Sequence, residues 1–192
     1  EVKSGGVAVP DFTDPNFPAQ LALLVDTSAM LVVKCTRRAA KSFSAAKRLL
    51  RAMFKHSGCS TLFIALTDDS AMNIIWKDVL KVINKRWNLG AEFVESKQLM
   101  RLPNGAVLYV LGMDRDEEER NKLLGGKYAE VAIDESAFFR TDLNELVFGT
   151  LKPAVGDYRG TIGLYGSPGN VKAGLFFELT KGHDPRIAHR WL

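Results

Sequence analysis

Four runs of consecutive apolar residues constrain this chain most: "MLVVKC" (30–35), "TLFIALT" (61–67), "AEVAI" (129–133) and "GTIGLY" (160–165). Each is short and apolar almost throughout, the pattern of a strand buried on both faces. Helical patterns lie between them. "KSFSAAKRLLRAMFKH" (41–56) places Phe43, Ala46, Leu50, Met53 and Phe54 on one side, with Lys47, Arg48, Arg51 and Lys55 mostly elsewhere; Gly58 ends it. "AMNIIWKDVLKVINKRW" (71–87) follows Ser70 as its N-cap and carries an apolar stripe of Met72, Ile75, Val79, Val82 and Ile83. Strands alternating with helices predict an α/β fold, a mostly parallel sheet flanked by helices on both faces. "AEFVESKQLMRLPNGAVLYVLG" (91–112) adds strands closing on a hairpin at Asn104-Gly105. Before all of these, residues 1–15 read as an irregular arm rich in Pro, Gly and Asp, followed by a short helix in "FPAQLALLVD" (17–26).

With 192 residues, the chain suits one domain with a full-sized core. No apolar run approaches the roughly 20 residues of a membrane span, and "EVKSGGVAVPDF" lacks the order of a secretion signal. Cys35 and Cys59 have neither metal-site spacing nor a disulfide framework, so reduced cytosolic thiols are expected. The net charge of +4 tolerates a polyanionic partner without demanding one. Lys77, Lys81 and Lys85 recur every four residues, the pattern of a solvated helix face, with a DNA track as the alternative.

In a parallel sheet, ligands bind beyond the carboxyl ends of the strands. Three strand ends here carry polar signals: "TRRAAKS", "DES" and "GSPGN". The first, "CTRRAAKSF" (35–43), sits at a strand-to-helix junction where a phosphate loop would read G-x-x-x-x-G-K-[ST]. Lys41 and Ser42 fill its last two positions, while Cys35 and Ala40 stand where glycines belong. Lys41 is placed to reach β- and γ-phosphates, and the Ser42 hydroxyl to ligate Mg²⁺. About 90 residues further on, Asp134 can hold the metal through water and Glu135 can orient or deprotonate an attacking water. Together these predict ATP and Mg²⁺ as cofactors of a hydrolase.

"VVKCTRRAAKSFSAA", "YAEVAIDES" and "LYGSPGNVKAGLFFELT" together resemble the ATPase domain of the large terminase subunit of tailed phages, over roughly residues 15 to 192. The resemblance implies a P-loop NTPase fold of the RecA-like (ASCE) branch over residues 16–192. It also implies an ATP-driven motor moving double-stranded DNA into a procapsid, with a nuclease domain that this chain does not contain. It implies a homo-oligomeric ring on a portal, a small terminase subunit as partner, no membrane, and the cytoplasm of an infected bacterial cell. By the same resemblance, Lys41 and Ser42 are the phosphate and Mg²⁺ positions, in a binding loop of Arg37, Arg38, Ala39 and Ala40. Arg37 is the loop arginine that complements developing charge. Asp134 is the metal-linked acid and Glu135 the catalytic base. Ser167 is the coupling position that senses γ-phosphate, and Gln20 fits a glutamine that reads adenine, its amide able both to donate and to accept.

The sequence also departs from the family pattern. Ala40 adds a methyl group where the family has glycine before the lysine. Leu124, in "KLLGGKY", occupies the position of an arginine that the family supplies in trans; Arg120, one helical turn away, is the substitute. The alternatives are a nucleotide-binding module with impaired hydrolysis, for which Ala40 speaks, and a helicase-like P-loop ATPase. Against the latter, the motifs do not recur as a second core.

Overall fold

The computed structural model describes residues 10–13, 18–36, 38–139, 142–167, 173–181 and 187–191. In chain order these form α1 (Pro18–Val25), β1 (Met30–Lys34), α2 (Lys41–Lys55), β2 (Ser60–Ala65) and a long helix α3 (68–87). Next come β3 (Glu92–Val94), β4 (Leu99–Arg101), β5 (Val107–Gly112), α4 (Glu117–Leu124) and β6 (Glu130–Ile133). Then follow α5 (145–154), β7 (Thr161–Gly166), α6 (Leu175–Leu179) and β8 (Ala188–Trp191).

The strands make one eight-stranded sheet in the order β3-β4-β5-β2-β6-β7-β1-β8. The pairings from β5 through β8 are all parallel, and β3–β4 and β4–β5 are antiparallel. The expected hairpin forms at Asn104-Gly105, where Gly105 takes φ 82°. The β8 strand was not foreseen, because a four-residue edge segment carries too little periodicity to stand out.

Alternation along the central strands feeds two cores, as two-sided burial requires. Leu31, Val33, Phe63, Ala65 and Ala132 pack on the side of α2 and α3. Met30, Val32, Leu62, Ile64, Val131, Ile133, Ile162 and Leu164 pack on the opposite side with α5 and α6. The α2 helix lies across the sheet with Ala45, Ala46, Leu49, Leu50 and Met53 buried. Truncating Leu49 or Leu50 to Ala here costs on the order of 3 kcal/mol.

Three helical details correct the sequence reading. The N-cap of α3 is Thr67, whose Oγ1 accepts from the Ser70 amide at 3.1 Å while Ser70 Oγ reciprocates, a capping box. The middle of α3, Ala71–Leu80, is π-helical. Its wider turn rotates the following residues, so Leu80 and Ile83 enter the core and Val82 faces solvent. In α2, Lys47 and Arg48 are buried rather than placed on a wet face. Lys47 Nζ donates to the Phe12 carbonyl at 2.7 Å and lies 5.1 Å from the ring centroids of both Phe43 and Trp87. Part of the expected arm is thereby docked, with Phe12 in the core and Trp87 Nε1 donating to the Asp11 carbonyl at 2.8 Å.

Candidate functional site

Parallel pairing of β1, β7 and β6 puts the residues that follow them at one edge of the sheet. The loop after β1 leaves the sheet at Cys35, whose amide donates to the Gly166 carbonyl at 3.0 Å and whose thiol reaches the same oxygen at 3.6 Å. Burial pushes the Cys35 thiol up to about 11, with Lys41 opposing. Arg38 is exposed and Ala39 half-buried; Arg37 lies outside the described residues.

Ala40 enters α2 from left-handed backbone, φ 54° and ψ 34°, with no side-chain cap on the helix that it starts. Ala40 thus stands in the left-handed region that favours glycine. Arg38 (φ 65°) and Glu135 (φ 52°) also occupy this region. An L-residue there costs about 1–2 kcal/mol, and such costs concentrate at functional sites. The uncapped start of α2 leaves backbone N–H groups and the positive dipole end facing the loop.

The first residues of α2 meet the acids that follow β6. Ser42 Oγ donates to Asp134 Oδ2 at 2.7 Å. Lys41 Nζ lies 2.5 Å from Glu135 Oε1 and 3.5 Å from Asp134 Oδ1. Asp134 is fixed further by accepting from the Glu135 amide at 2.8 Å, while its own amide donates to the Ile64 carbonyl of β2. Burial pushes the Asp134 carboxyl up, against Lys41, Ser42 and the Glu135 amide. Burial works to lower the Lys41 ammonium, but Asp134 and Glu135 outweigh it and hold the ammonium above its usual value. Lys41 keeps its proton.

Among the described residues no group of three or more His, Cys, Asp and Glu side chains could cage a metal. Mg²⁺ asks for less: one or two carboxylates, with hydroxyl, phosphate and water oxygens completing its octahedron. The converging Ser42 and Asp134 oxygens fit that donor set.

The Gln20 side chain, 5% exposed, donates from Nε2 to the Ala39 carbonyl at 3.1 Å, so it grips the loop itself. Ser167 sits half-buried just past β7, and Pro168 to Lys172 lie outside the described residues. Gly166 before it has no room for a side chain: a Cβ would come within 2.7 Å of the Phe176 ring. Arg120 stands apart. It follows β5, two strands from β6, and donates to the Met113 carbonyl at 3.3 Å. Among the described residues no ion pair joins it to Asp134 or Glu135.

Sequence reasoning missed a buried ion pair behind the site. Arg48 Nε lies 2.6 Å from Glu130 Oε1, and its Nη1 donates to the Leu23 carbonyl and, at 2.9 Å, to that of Asp26. One guanidinium thus fastens α1, α2 and β6 together. Its only advance signal is a carboxylate opening an otherwise apolar strand in "EVAI". Tyr165, also buried, lays its ring over Gly163, and its hydroxyl has no hydrogen-bond partner among the described residues.

No family model and no curated protein matches the sequence. Solved structures do match. The large terminase ATPase domain of Thermus phage P74-26 superposes with a TM-score of 0.73 at 17% identity, over 92% of this chain and 80% of that one. The chain has the fold of a phage large-terminase ATPase domain. The HK97 bacteriophage large terminase gives a TM-score of 0.74 at 16% identity, and this chain spans 39% of its length. The N-terminal domain of the bacteriophage phi29 DNA packaging ATPase gives 0.66 at 9% identity, over 92% of this chain and 95% of that one. Among the described residues, the start of α2, the acids at 134–135 and Ser167 lie at the ends of β1, β6 and β7, consecutive strands of one sheet.

Proposed function

We infer that this chain is the ATPase domain of a DNA-packaging motor, binding and hydrolysing ATP with Mg²⁺ to drive movement of double-stranded DNA. The observation that carries the reading is the pair of contacts Ser42–Asp134 and Lys41–Glu135, between the ends of β1 and β6 on either side of β7 in a terminase ATPase fold. It is also consistent with a large terminase from a thermophilic bacteriophage having been solved with ADP and with ATP-γ-S. On this reading residues 16–192 are the motor ATPase unit, working as a homo-oligomeric ring on a portal with a small terminase subunit. We place its action in the cytoplasm of an infected bacterial cell; among the described residues no helix is long and apolar enough to cross a membrane.

In this mechanism Lys41 exchanges its contact with Glu135 for the transferring phosphoryl group and stabilises charge there. Ser42 and Asp134 would hold Mg²⁺, which would supply positive charge beside the phosphates. Glu135, released from Lys41, orients water and takes its proton. Arg37 and, from a neighbouring subunit, Arg120 complement the developing charge. Gln20 reads adenine with the amide that also holds the loop, and Ser167 senses the γ-phosphate. Glu135→Ala should retain Mg²⁺-dependent ATP binding and lose most phosphate release, whereas Lys41→Ala should weaken binding too. Full turnover by Glu135→Ala would refute the assignment.

The second reading is a nucleotide-binding module with impaired hydrolysis, favoured by the left-handed backbone of Ala40. Binding without turnover in both the native chain and Ala40→Gly, at a concentration where rings form, would decide for it.

A further inference from the structure

At the opposite end of β6 and β7 from the candidate site, a cleft of about 180 Å³ opens between the ends of α1 and α2 and the starts of those two strands. Four cationic side chains line it, Arg48, Arg51, Lys55 and Arg159, against the two carboxylates Asp26 and Glu130. Glu130 is occupied by Arg48. Arg51 uses Nη1 on the Leu24 carbonyl at 2.6 Å, but among the described residues Arg51, Lys55 and Arg159 form no ion pair. The C-terminal dipole of α2 offsets only about half a charge. At the rim His56 and Tyr158 pack edge to face with centroids 5.8 Å apart, giving a polar, aromatic-edged and cationic recess.

We propose that this cleft is a phosphate-contacting site for the backbone of duplex DNA, on the end of the domain facing away from ATP. The proposal rests on the motor reading above and names the surface that holds the polymer. Exposed, unpaired Lys and Arg around a recess are what a phosphodiester backbone recruits, without regard to sequence. The lysine row on α3 is the weaker candidate. Lys81 is paired with Glu95 at 2.8 Å, and Lys77 donates to Asn73 at 3.1 Å. The cleft also has a direct mechanical link to the nucleotide. The 15 residues of α2 run from Lys41 and Ser42 to Lys55, a rigid span of about 22 Å. DNA held at one end and phosphate at the other therefore act on the same helix.

The test is the salt dependence of binding to a labelled duplex, measured for the native chain, for Lys55→Glu/Arg159→Glu and for Lys77→Glu/Lys85→Glu, with ATP binding followed in parallel. Lys55 and Arg159 are exposed and hold no other element, so their variant should fold as the native chain does. It should bind two unrelated duplexes more weakly, with the slope of log K against log salt lower by about two. The α3 variant should keep the native slope. An unchanged slope with native ATP binding would overturn the cleft and leave the motor reading standing. Failure of the native chain to bind either ATP or DNA would overturn both. A shift of the His56 ring resonance on adding inorganic phosphate but not duplex would give the cleft to a free anion and overturn the DNA assignment.

Discussion

Removing Glu130 alone tests whether the buried Arg48 pair organises this domain. In Glu130→Leu a guanidinium that is 4% exposed loses its paired carboxylate and keeps, among the described residues, the carbonyls of Leu23 and Asp26 and the attraction of the Asp26 charge. Stranding one partner of a buried pair costs about 3–5 kcal/mol. For a chain of 192 residues each kcal/mol moves Tm by roughly 2–4 °C, so a fall of about 10 °C is expected. Arg48→Met strands the carboxylate instead, and with it two carbonyls, at a similar or greater cost. The double variant Arg48→Met/Glu130→Leu has no stranded charge, yet those carbonyls still lack their donor, each at about 1–3 kcal/mol. Recovery should therefore be partial, with a coupling energy of roughly 1–3 kcal/mol in the cycle. Urea unfolding followed by circular dichroism measures all four corners. Strict additivity of the two single variants would show that the pair does not act as a unit. Because Arg48 also holds the end of α1, which carries Gln20, both single variants should bind nucleotide less tightly than their stability loss alone explains.

Ala40→Gly relieves a left-handed alanine but adds freedom to the unfolded chain, for a net gain of about 0.5–1 kcal/mol and a Tm rise of roughly 2 °C; a fall in Tm would contradict the φ of 54°. Ala40→Val should be clearly less stable than the native chain, since a β-branched residue tolerates that backbone poorly. Tyr165→Phe removes a buried hydroxyl without a partner among the described residues and should stabilise by about 1 kcal/mol in denaturant titration. Burial raises both Cys35 and Cys59 from 9.0 to about 11. The protonated thiol is thus favoured by folding; its contribution is full below pH 9 and is lost as the pH climbs from about 9 toward 11, on the order of 2 kcal/mol per group. A Cys35→Ala/Cys59→Ala variant should show a shallower alkaline decline in the same titration.

Particular residues show which parts of this fold were legible. The apolar runs specify central strands because burial on both faces leaves no other use for "TLFIAL", and parallel order follows from the helices between them. Lys41, Ser42, Asp134 and Glu135 were legible as a set because strand ends of a parallel sheet share an edge, so distance in sequence collapses there. The conformation of Ala40 was not legible: a sequence shows a missing glycine but not whether the backbone still turns left-handed in its absence. Arg48 was illegible for a different reason. Its helical position reads as solvated until α1 folds over it and offers carbonyls, a tertiary event that leaves no periodicity. Val82 was misplaced because a π-helical segment breaks the 3.6-residue repeat that the stripe assumed. Arg37 lies outside the described residues, and the Arg120 side chain donates to the Met113 carbonyl, two strands from the acids.

The contact between Lys41 and Glu135 bears on how such a site would be timed. Lys41 Nζ sits on Oε1 of Glu135 at 2.5 Å, so one of the two carboxylate oxygens is engaged with the ammonium. Burial makes that pairing more than a surface ion pair. Lys41 has a side-chain exposure of 16%, and its attraction to two carboxylates exceeds the cost of removing it from water. Phosphate is a multivalent acceptor, so on the proposed function an arriving γ-phosphate would compete for Lys41 and release Glu135 in one exchange. On the proposed function, the residue that recognises the nucleotide thereby also unlocks the base. Since Lys41 and Ser42 open the helix that ends at Lys55, the exchange is made on the element that carries the cations of the far cleft. Binding at either end can bias the other only through the differential free energy each contributes to that helix's position. Arg48, buried midway along α2, ties that helix to α1 and β6, so any such shift of α2 moves against this pair.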